Sequence, residues 1–355
     1  MPGRGVPRAG RLRRSGVASA AMSSTISRSR LTELLQRARG RRIAVVGDAM
    51  LDVYLRGDVD RISPEAPVPV VRVRERRFAL GGAANVAQNV AALGAVAELV
   101  TVIGDDAAGE RISTMLDGLG ADGRSLVYGS RPTTTKTRLL ARSQQVVRFD
   151  EEEDADLSGP DMDAVHEAVG RAVCEADALV LEDYNKGVLT ASVIERAVSL
   201  AAGRGLPIVV DPKYRNFFAY RRATVFKPNR RELEAALGAS VDVDHPESIP
   251  SILERLDVDH LLLTLGEHGM AIFGRGGEAE RIPTTAREVY DVVGAGDTVT
   301  AYLASMLAAG ASVTEAAVVA NYAAGVEVGK LGAATVSAEE VLEAYSAHVG
   351  DGASS

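Results

Sequence analysis

The stretch DVVGAGDTVTAYLA, Asp291 to Ala304, sets two glycines around one alanine, then a carboxylate, a threonine and an apolar run. Gly294 and Gly296 let the backbone turn tightly and bring bare N–H groups close to a ligand. The apolar run reads as a helix, whose first turn offers unpaired N–H donors and the positive end of the helix dipole. Such a place binds anions, phosphate above all. A carboxylate there works against anion binding unless it acts on a neighbouring hydroxyl. Phosphoryl transfer needs that combination: amides hold the charge on the transferred group while an acid, here Asp297, takes the proton of the attacking alcohol. The plainer alternative is that Asp297 only caps the helix. The dinucleotide fingerprint is excluded, since G-x-G-x-x-G would need a glycine at Val299, and no Gly-Lys-Ser/Thr of a Walker loop follows.

A second cluster stands in GGAANVAQNVAALGA, residues 81–95. Gly81 and Gly82 precede a helical pattern with Val86, Val90 and Leu93 on one face. Asn85 and Asn89 lie four apart and share another face. An asparagine in the first turn, beside bare amides, suits a polyhydroxylated ligand, because a primary amide both donates and accepts. The alternative is a close helix-to-sheet approach that the glycines allow, with Asn85 near the N-cap.

Elements must carry these clusters. RIAVVGD, ALVLEDY, LPIVVDP, ATVFKPN and HLLLTLGEHG are apolar runs without alternation, as strands buried on both faces are. Helical patterns lie between them, at about 158–174, 190–203, 230–238 and 247–257. The alternation predicts an α/β fold: a doubly wound, mostly parallel sheet flanked by helices. Asp48, Asp183, Asp211, Asn229 and Thr264 end the strands, where open α/β sheets bind ligands, and are expected to line one crevice; each is also placed to cap the next helix. Segments 53–74 and 133–150 read differently. APVPVVRVRER carries Pro67 and Pro69, as a solvent-edge strand does. TTTKTRLLARSQQVVRFDEE reads as a hairpin. Together they predict a small β-sheet projecting as a lid, whose exposed surface a partner subunit would cover.

The chain has 355 residues, 46% of them hydrophobic, enough for a large core. A single cysteine, Cys174, makes no internal disulfide or cysteine metal cluster and fits a reducing, cytoplasmic location. No apolar run reaches the length of a membrane span. Residues 1–42 hold eleven arginines against one acid, Glu33. The remainder carries 29 basic and 47 acidic residues, an acidic body that argues against a nucleic-acid surface. Residues 1–40 are expected to be a disordered basic extension, with Met22 as the effective start, although their Arg- and Ser-rich composition also matches a transit peptide. The folded domain is then expected over 41–350.

Gly-Gly at 81–82 with Asn85, together with DVVGAGDTVTAYLA, resembles the two signatures of the ribokinase-like (PfkB) sugar kinases. The intervening motifs agree in order: GDAMLD at 47–52, N-x-x-E at Asn229 and Glu232, TLGEHG at 264–269 and ANYAAGVEVGKLGA at 320–333. The resemblance covers about residues 40–345. Within the family, GDAMLDVYLRGDVDRISPEAPVPVV, DYNKGVLT and VVDPK are similar to the D-glycero-β-D-manno-heptose 7-phosphate kinases. Some of these continue into a cytidylyltransferase-like domain. No H-x-G-H stretch occurs among the five histidines here, so the resemblance is to the stand-alone kinase.

The resemblance implies ATP-dependent phosphorylation of the anomeric O1 of the heptose 7-phosphate, on the way to ADP-heptose and the lipopolysaccharide core. It implies that Asp52, Gly81, Gly82 and Asn85 hold the sugar, with Lys186 and the lid cations Lys136, Arg138 and Arg148 near the 7-phosphate, since a dianion needs charge-assisted donors. Asn229 and Glu232 would position Mg2+ around the ATP phosphates. Thr264, Gly266 and Gly269 would lie beside the nucleotide, and Asn321 near the adenine. Gly294, Ala295, Gly296 and Asp297 would form the anion hole, with Asp297 the base. A monovalent cation such as K+ and a homodimer through the lid are further implications. Another acceptor (ribose, a hexose phosphate, a nucleoside) and a non-catalytic sugar-phosphate sensor stay open. Two departures stand out: Val293 lacks the hydroxyl many relatives carry, and the aromatic run after Lys213 belongs either to the nucleotide rim or to the core.

Overall fold

Strand β1 (Arg42–Gly47) shows why the sheet is buried on both sides. Ile43 and Val45 pack into one hydrophobic cluster, Ala44 and Val46 into the other, because successive strand side chains point to opposite faces. The computed structural model describes residues 26–352, apart from 120, 122, 142, 143 and 287. In chain order the strands are β1, β2 (Ala49–Ile62), β3 (Pro69–Gly82), β4 (Val96–Gly104), β5 (Leu126–Gly129), β6 (Thr135–Ala141), β7 (Gln144–Glu151), β8 (Ala178–Glu182), β9 (Ile208–Asp211), β10 (Val225–Phe226), β11 (His260–Thr264), β12 (Met270–Gly274) and β13 (Ala279–Ile282). The helices are α1 (Arg28–Ala38), α2 (Ala83–Ala92), α3 (Ala107–Gly118), α4 (Gly159–Glu175), α5 (Ala191–Gly203), α6 (Arg230–Leu237), α7 (Ile249–Leu256), α8 (Ala295–Ala308), α9 (Val313–Glu327) and α10 (Ala338–Gly352).

The main sheet runs β13-β12-β11-β10-β9-β8-β1-β4-β5, parallel from β11 to β5, with β12 and β13 antiparallel at one edge. Helices α1, α2, α3, α8, α9 and α10 cover one face and α4 to α7 the other. The fold is the doubly wound α/β fold expected from the alternating pattern, and α4 to α7 fall where the periodicity put them. From β1 the chain winds outward to β4 and β5, then returns to β8 on the other side of β1. That reversal opens a crevice at the carboxyl ends of β1 and β8, the place where such sheets bind ligands.

The second sheet has the order β3-β2-β6-β7. Only Asp48 separates β1 from β2, so this sheet rises directly from the crevice. It corresponds to the expected projecting segments, with Pro69 opening an edge strand. Cross-strand register gives it two unlike faces. Asp52, Lys136 and Asp150 align on one, with Tyr54, Arg138 and Arg148. Val53, Phe78, Leu55, Leu139, Val147 and Phe149 align on the other.

The expected boundary near residue 41 is corrected. Residues 28–38 form α1, whose Leu31, Leu34, Leu35 and Ala38 are buried. Each buried leucine contributes roughly 1.5–3 kcal/mol. Ser27 caps the helix by accepting from the Arg30 amide, Arg30 pairs with Glu315 at 2.8 Å, and the Tyr345 hydroxyl donates to the Ile26 carbonyl. The proposed start at Met22 and the rest of the basic extension, residues 1–25, lie outside the described residues. The aromatic run after Lys213 is core: Phe217 and Tyr220 are buried against Phe226, while Tyr214 is exposed.

Candidate active site

Helix α8 begins at the crevice. Gly294, its N-cap, has φ +97°, and a Cβ there would sit 2.9 Å from the Asn85 side-chain nitrogen. Only glycine adopts that backbone and leaves Asn85 its room. The first-turn amides have no intrahelical acceptors. Consecutive residues of this turn face two different pockets. Gly294 and Asp297 line a small one with Asp52, Gly81, Gly82, Asn85, Lys136 and Arg138. Ala295 and Gly296 line a larger one, about 720 Å3, with Asn229, Thr264, Gly266, Gly269 and Asn321.

Asp297 is 4% exposed and fixed through both oxygens: Asn85 Nδ2 donates to Oδ2 at 2.7 Å and Tyr184 Oη to Oδ1 at 2.8 Å. Burial pushes its carboxyl up to about 6, against the two hydrogen bonds, which favour the ionised form. Asn85 cannot turn away, because its own oxygen accepts from Gln88 and Asn89. Thus Asn85, expected as a sugar ligand, directs its amide at the carboxylate. Gly82 precedes α2 with φ +58°, and a Cβ there would strike the Asp48 carbonyl at 2.4 Å.

Beneath Asp297 lies a buried charge cluster. Glu182, Asp211 and Asp297 place carboxylate oxygens within 4.8 Å of one another. Lys227, 3% exposed, donates to Asp211 Oδ2 at 2.8 Å and supplies the compensating charge. Glu182 is fully buried with neither oxygen hydrogen-bonded, and burial beside Asp211 and Asp297 drives its carboxyl strongly upward. Lys213 reaches Glu232 Oε1 at 2.6 Å, and Asp211 and Glu232 hold its ammonium above the usual range despite burial.

Asn229 and Glu232 form a capping box at the start of α6: the Asn229 side chain accepts from the Glu232 amide, and Glu232 Oε2 from the Asn229 amide. One fixed carboxylate and one amide oxygen at the edge of the larger pocket suit Mg2+, which takes few protein ligands and completes its shell from water and phosphates. Asn321 donates to the Pro283 carbonyl at 2.9 Å, and its pocket continues over Leu265, Ala324, Gly325 and Val328, a surface apolar enough for a base.

In the smaller pocket, Arg138 pairs with Asp52 at 2.5 Å. Lys136 lies 3.0 Å from the Met50 sulfur with no ion-pair partner among the described residues, and burial lowers its ammonium. It is the cation in the pocket available for an anion. Two expected contributors lie outside this pocket. Lys186 is paired with Glu152 at 2.8 Å, and Arg148, half exposed on β7, with Asp150 at 3.0 Å. The single crevice expected from the strand ends is also corrected. Asp48 accepts the amides of Tyr184, Lys186 and Val188, and Asp183 the Asn185 amide and the Tyr220 hydroxyl, so both brace loops rather than face a ligand.

Tyr184, Lys213, Lys227 and Glu182 were not singled out for roles by spacing, although each stands in or beside a motif: DYNKG, VVDPK and KPN. The arrangement can hold a polyol against a buried base, a nucleotide on the other side of one helical turn, and the charge between them.

The arrangement has known relatives. A family model described as pfkB family carbohydrate kinase matches residues 41–340. The bifunctional protein HldE of Rhodospirillum rubrum is 44% identical over 317 residues, 88% of this chain and 64% of that protein. The HldE of a Caulobacter species is 46% identical over 316 residues, again 88% and 64%. The chain spans about two thirds of the length of the curated relatives it matches. Among solved structures, Arabidopsis thaliana ribokinase complexed with ribose and ATP has a TM-score of 0.68 at 22% identity, covering 86% of this chain and 98% of that one. Escherichia coli phosphofructokinase-2 in complex with potassium has a TM-score of 0.71 at 20% identity, covering 87% and 99%. These structural likenesses establish the fold.

Proposed function

The chain belongs to the pfkB family of carbohydrate kinases, and on that premise we propose that it transfers the γ-phosphoryl group of ATP to the anomeric O1 of D-glycero-β-D-manno-heptose 7-phosphate, giving the 1,7-bisphosphate for ADP-heptose and lipopolysaccharide core synthesis. The observation that carries the reading is the division of one helical turn between two pockets, with Asp297 on the side of Asp52 and Gly296 on the side of Asn229 and Asn321. Asp297 takes the proton of O1–H, O1 attacks the γ-phosphorus, and the bond to the β-phosphate oxygen breaks to release ADP. The amides at residues 295–297 hold the charge on the phosphoryl group in flight. Lys213, beside Glu232, neutralises charge on the nucleotide side. Mg2+, held near Asn229 and Glu232, would add Lewis-acid neutralisation of the phosphates. Val293 removes a side-chain hydroxyl from this loop and leaves its backbone donors in place. Lys136 and Arg138 favour an anionic acceptor, which supports a sugar phosphate over ribose.

A coupled ADP assay against heptose 7-phosphate, fructose 6-phosphate and ribose tests the assignment. The expected result is turnover at least tenfold more efficient with the heptose phosphate. Preference for either control would reassign the acceptor, and sugar binding without ADP formation would identify a sensor.

Among the described residues no helix is long and apolar enough to cross a membrane, and ATP as donor agrees with a cytoplasmic location. We further propose a homodimer through the small sheet. Its apolar face exposes Val147 and Phe149 at 45% and 47%, and a second copy supplies the matching face. Phe149→Asp is expected to convert a dimer to a monomer in sedimentation equilibrium; a wild-type chain that sediments as a monomer overturns this.

A further inference from the structure

Tyr184 has no part in the reading so far beyond its contact with Asp297, yet the structure invests heavily in its placement. We propose that Tyr184 is a positioning residue: its phenol fixes the direction in which the Asp297 carboxylate faces the acceptor hydroxyl. The inference rests on Asp297 being the base.

The loop carrying Tyr184 is clamped by one buried side chain. Asp48 accepts the Tyr184 amide at 2.8 Å, that of Lys186 at 3.0 Å and that of Val188 at 3.1 Å. The ring lies against the backbone of Gly82, where a Cβ would come within 3.3 Å of it. Lys136 and Lys213 stand 5.4 and 5.1 Å from the ring centre, each held as a cation against the aromatic ring. Those contacts need only the ring. The phenol oxygen reaches Asp297 Oδ1, and burial beside Asp297, Glu182 and Asp211 keeps the phenol protonated, hence a donor.

Asp297 then receives one hydrogen bond on each oxygen. A carboxylate oxygen accepts two, so each keeps one site for the incoming hydroxyl. Without the phenol, Asn85 alone would hold the group and the carboxylate could swing about it. The other charged groups facing Asp297 are Glu182 from β8, Asp211 from β9, Lys227 after β10 and Glu327 at the end of α9. None of these is hydrogen-bonded to it.

Tyr184→Phe keeps the ring and removes the donor. The expected result is a kcat lower by about tenfold to a hundredfold, with the KM for ATP within about twofold. The acid limb of kcat/KM moves to higher pH by about one unit, because losing a donor to the ionised form raises the carboxyl pKa. A second readout is independent of substrate: the carboxyl carbon of Asp297 in 13C-aspartate-labelled protein, assigned by its loss in Asp297→Asn, is expected to titrate at higher pH in Tyr184→Phe. Wild-type kcat with an unmoved acid limb, an unmoved carboxyl midpoint, or a phenylalanine variant that does not fold would each overturn the inference. A wild-type chain with no kinase activity would defeat the functional reading instead, and the carboxyl titration would still decide the role of Tyr184.

Discussion

Asp297→Asn is expected to lower kcat by about a hundredfold to ten-thousandfold, the range a positioned general base contributes, with sugar binding retained. The substitution is nearly isosteric and its neighbours can accept it: the new amide oxygen takes the Asn85 donor, and its nitrogen donates to the Tyr184 oxygen. Removing one buried acid from beside Glu182 and Asp211 also relieves like-charge crowding, so thermal stability should hold or rise. The loss would therefore report chemistry, not folding. The pH dependence has a definite sign. Burial raises the Asp297 carboxyl to about 6; below that pH it is protonated and cannot accept, so the wild-type rate falls as pH drops through about 6. The variant has no such limb. Steady-state kinetics from pH 5 to 9, with a binding isotherm for the sugar phosphate, check both halves. An unchanged kcat would remove Asp297 from its role.

The second large effect is on stability. Lys227→Met is expected to cost about 3–5 kcal/mol, the usual result of removing one partner of a buried ion pair. The Lys227 side chain is 3% exposed and that of Asp211 8%. Without the ammonium, Asp211 loses its hydrogen-bonded counter-charge in a buried space beside Glu182 and Asp297. Asp211 and Glu182 hold the Lys227 ammonium above its usual range, so the stability it provides is present at neutral pH and lost only as pH rises through that raised value. Asp297, raised to about 6 by burial, takes up a proton as pH falls and removes one of the crowded charges, so the deficit should shrink at low pH. Adding Asp211→Asn should recover part of the loss. Urea denaturation of the wild type, Lys227→Met and the double variant at pH 5.5 and 8 measures this; a Lys227→Met chain as stable as wild type would show that the cluster is compensated elsewhere.

Much of this was legible in the residues. Apolar runs ending in polar residues gave the parallel strands, and GAGD gave the turn that faces both pockets, because helix-start geometry is local. Three things were hidden for one reason, that each depends on which donor or acceptor a side chain meets in the folded protein, and residue type and spacing do not record that. The amide of Asn85 is turned toward Asp297 by Gln88 and Asn89, an orientation no spacing records. Asp48 and Asp183 follow their strands as ligand-facing acids do, yet the loop at 184–188 and Tyr220 fold back to occupy them. Lys186 and Arg148 carry the right charge, but Glu152 and Asp150 take it up. Helix α1 differs: Leu31, Leu34, Leu35 and Ala38 show a helical period, and the surrounding arginines masked it.

One meeting place is central to the proposed reaction: a buried carboxylate takes the proton of the acceptor hydroxyl while the helix-start amides beside it hold the phosphoryl group. A crystal structure with a non-hydrolysable ATP analogue and heptose 7-phosphate tests it most directly. The acceptor O1 is expected about 2.6–3.2 Å from an Asp297 oxygen, with the γ-phosphate at the amides of residues 295–297. A sugar bound with O1 beyond reach of that carboxylate, or a γ-phosphate seated away from those amides, would contradict it.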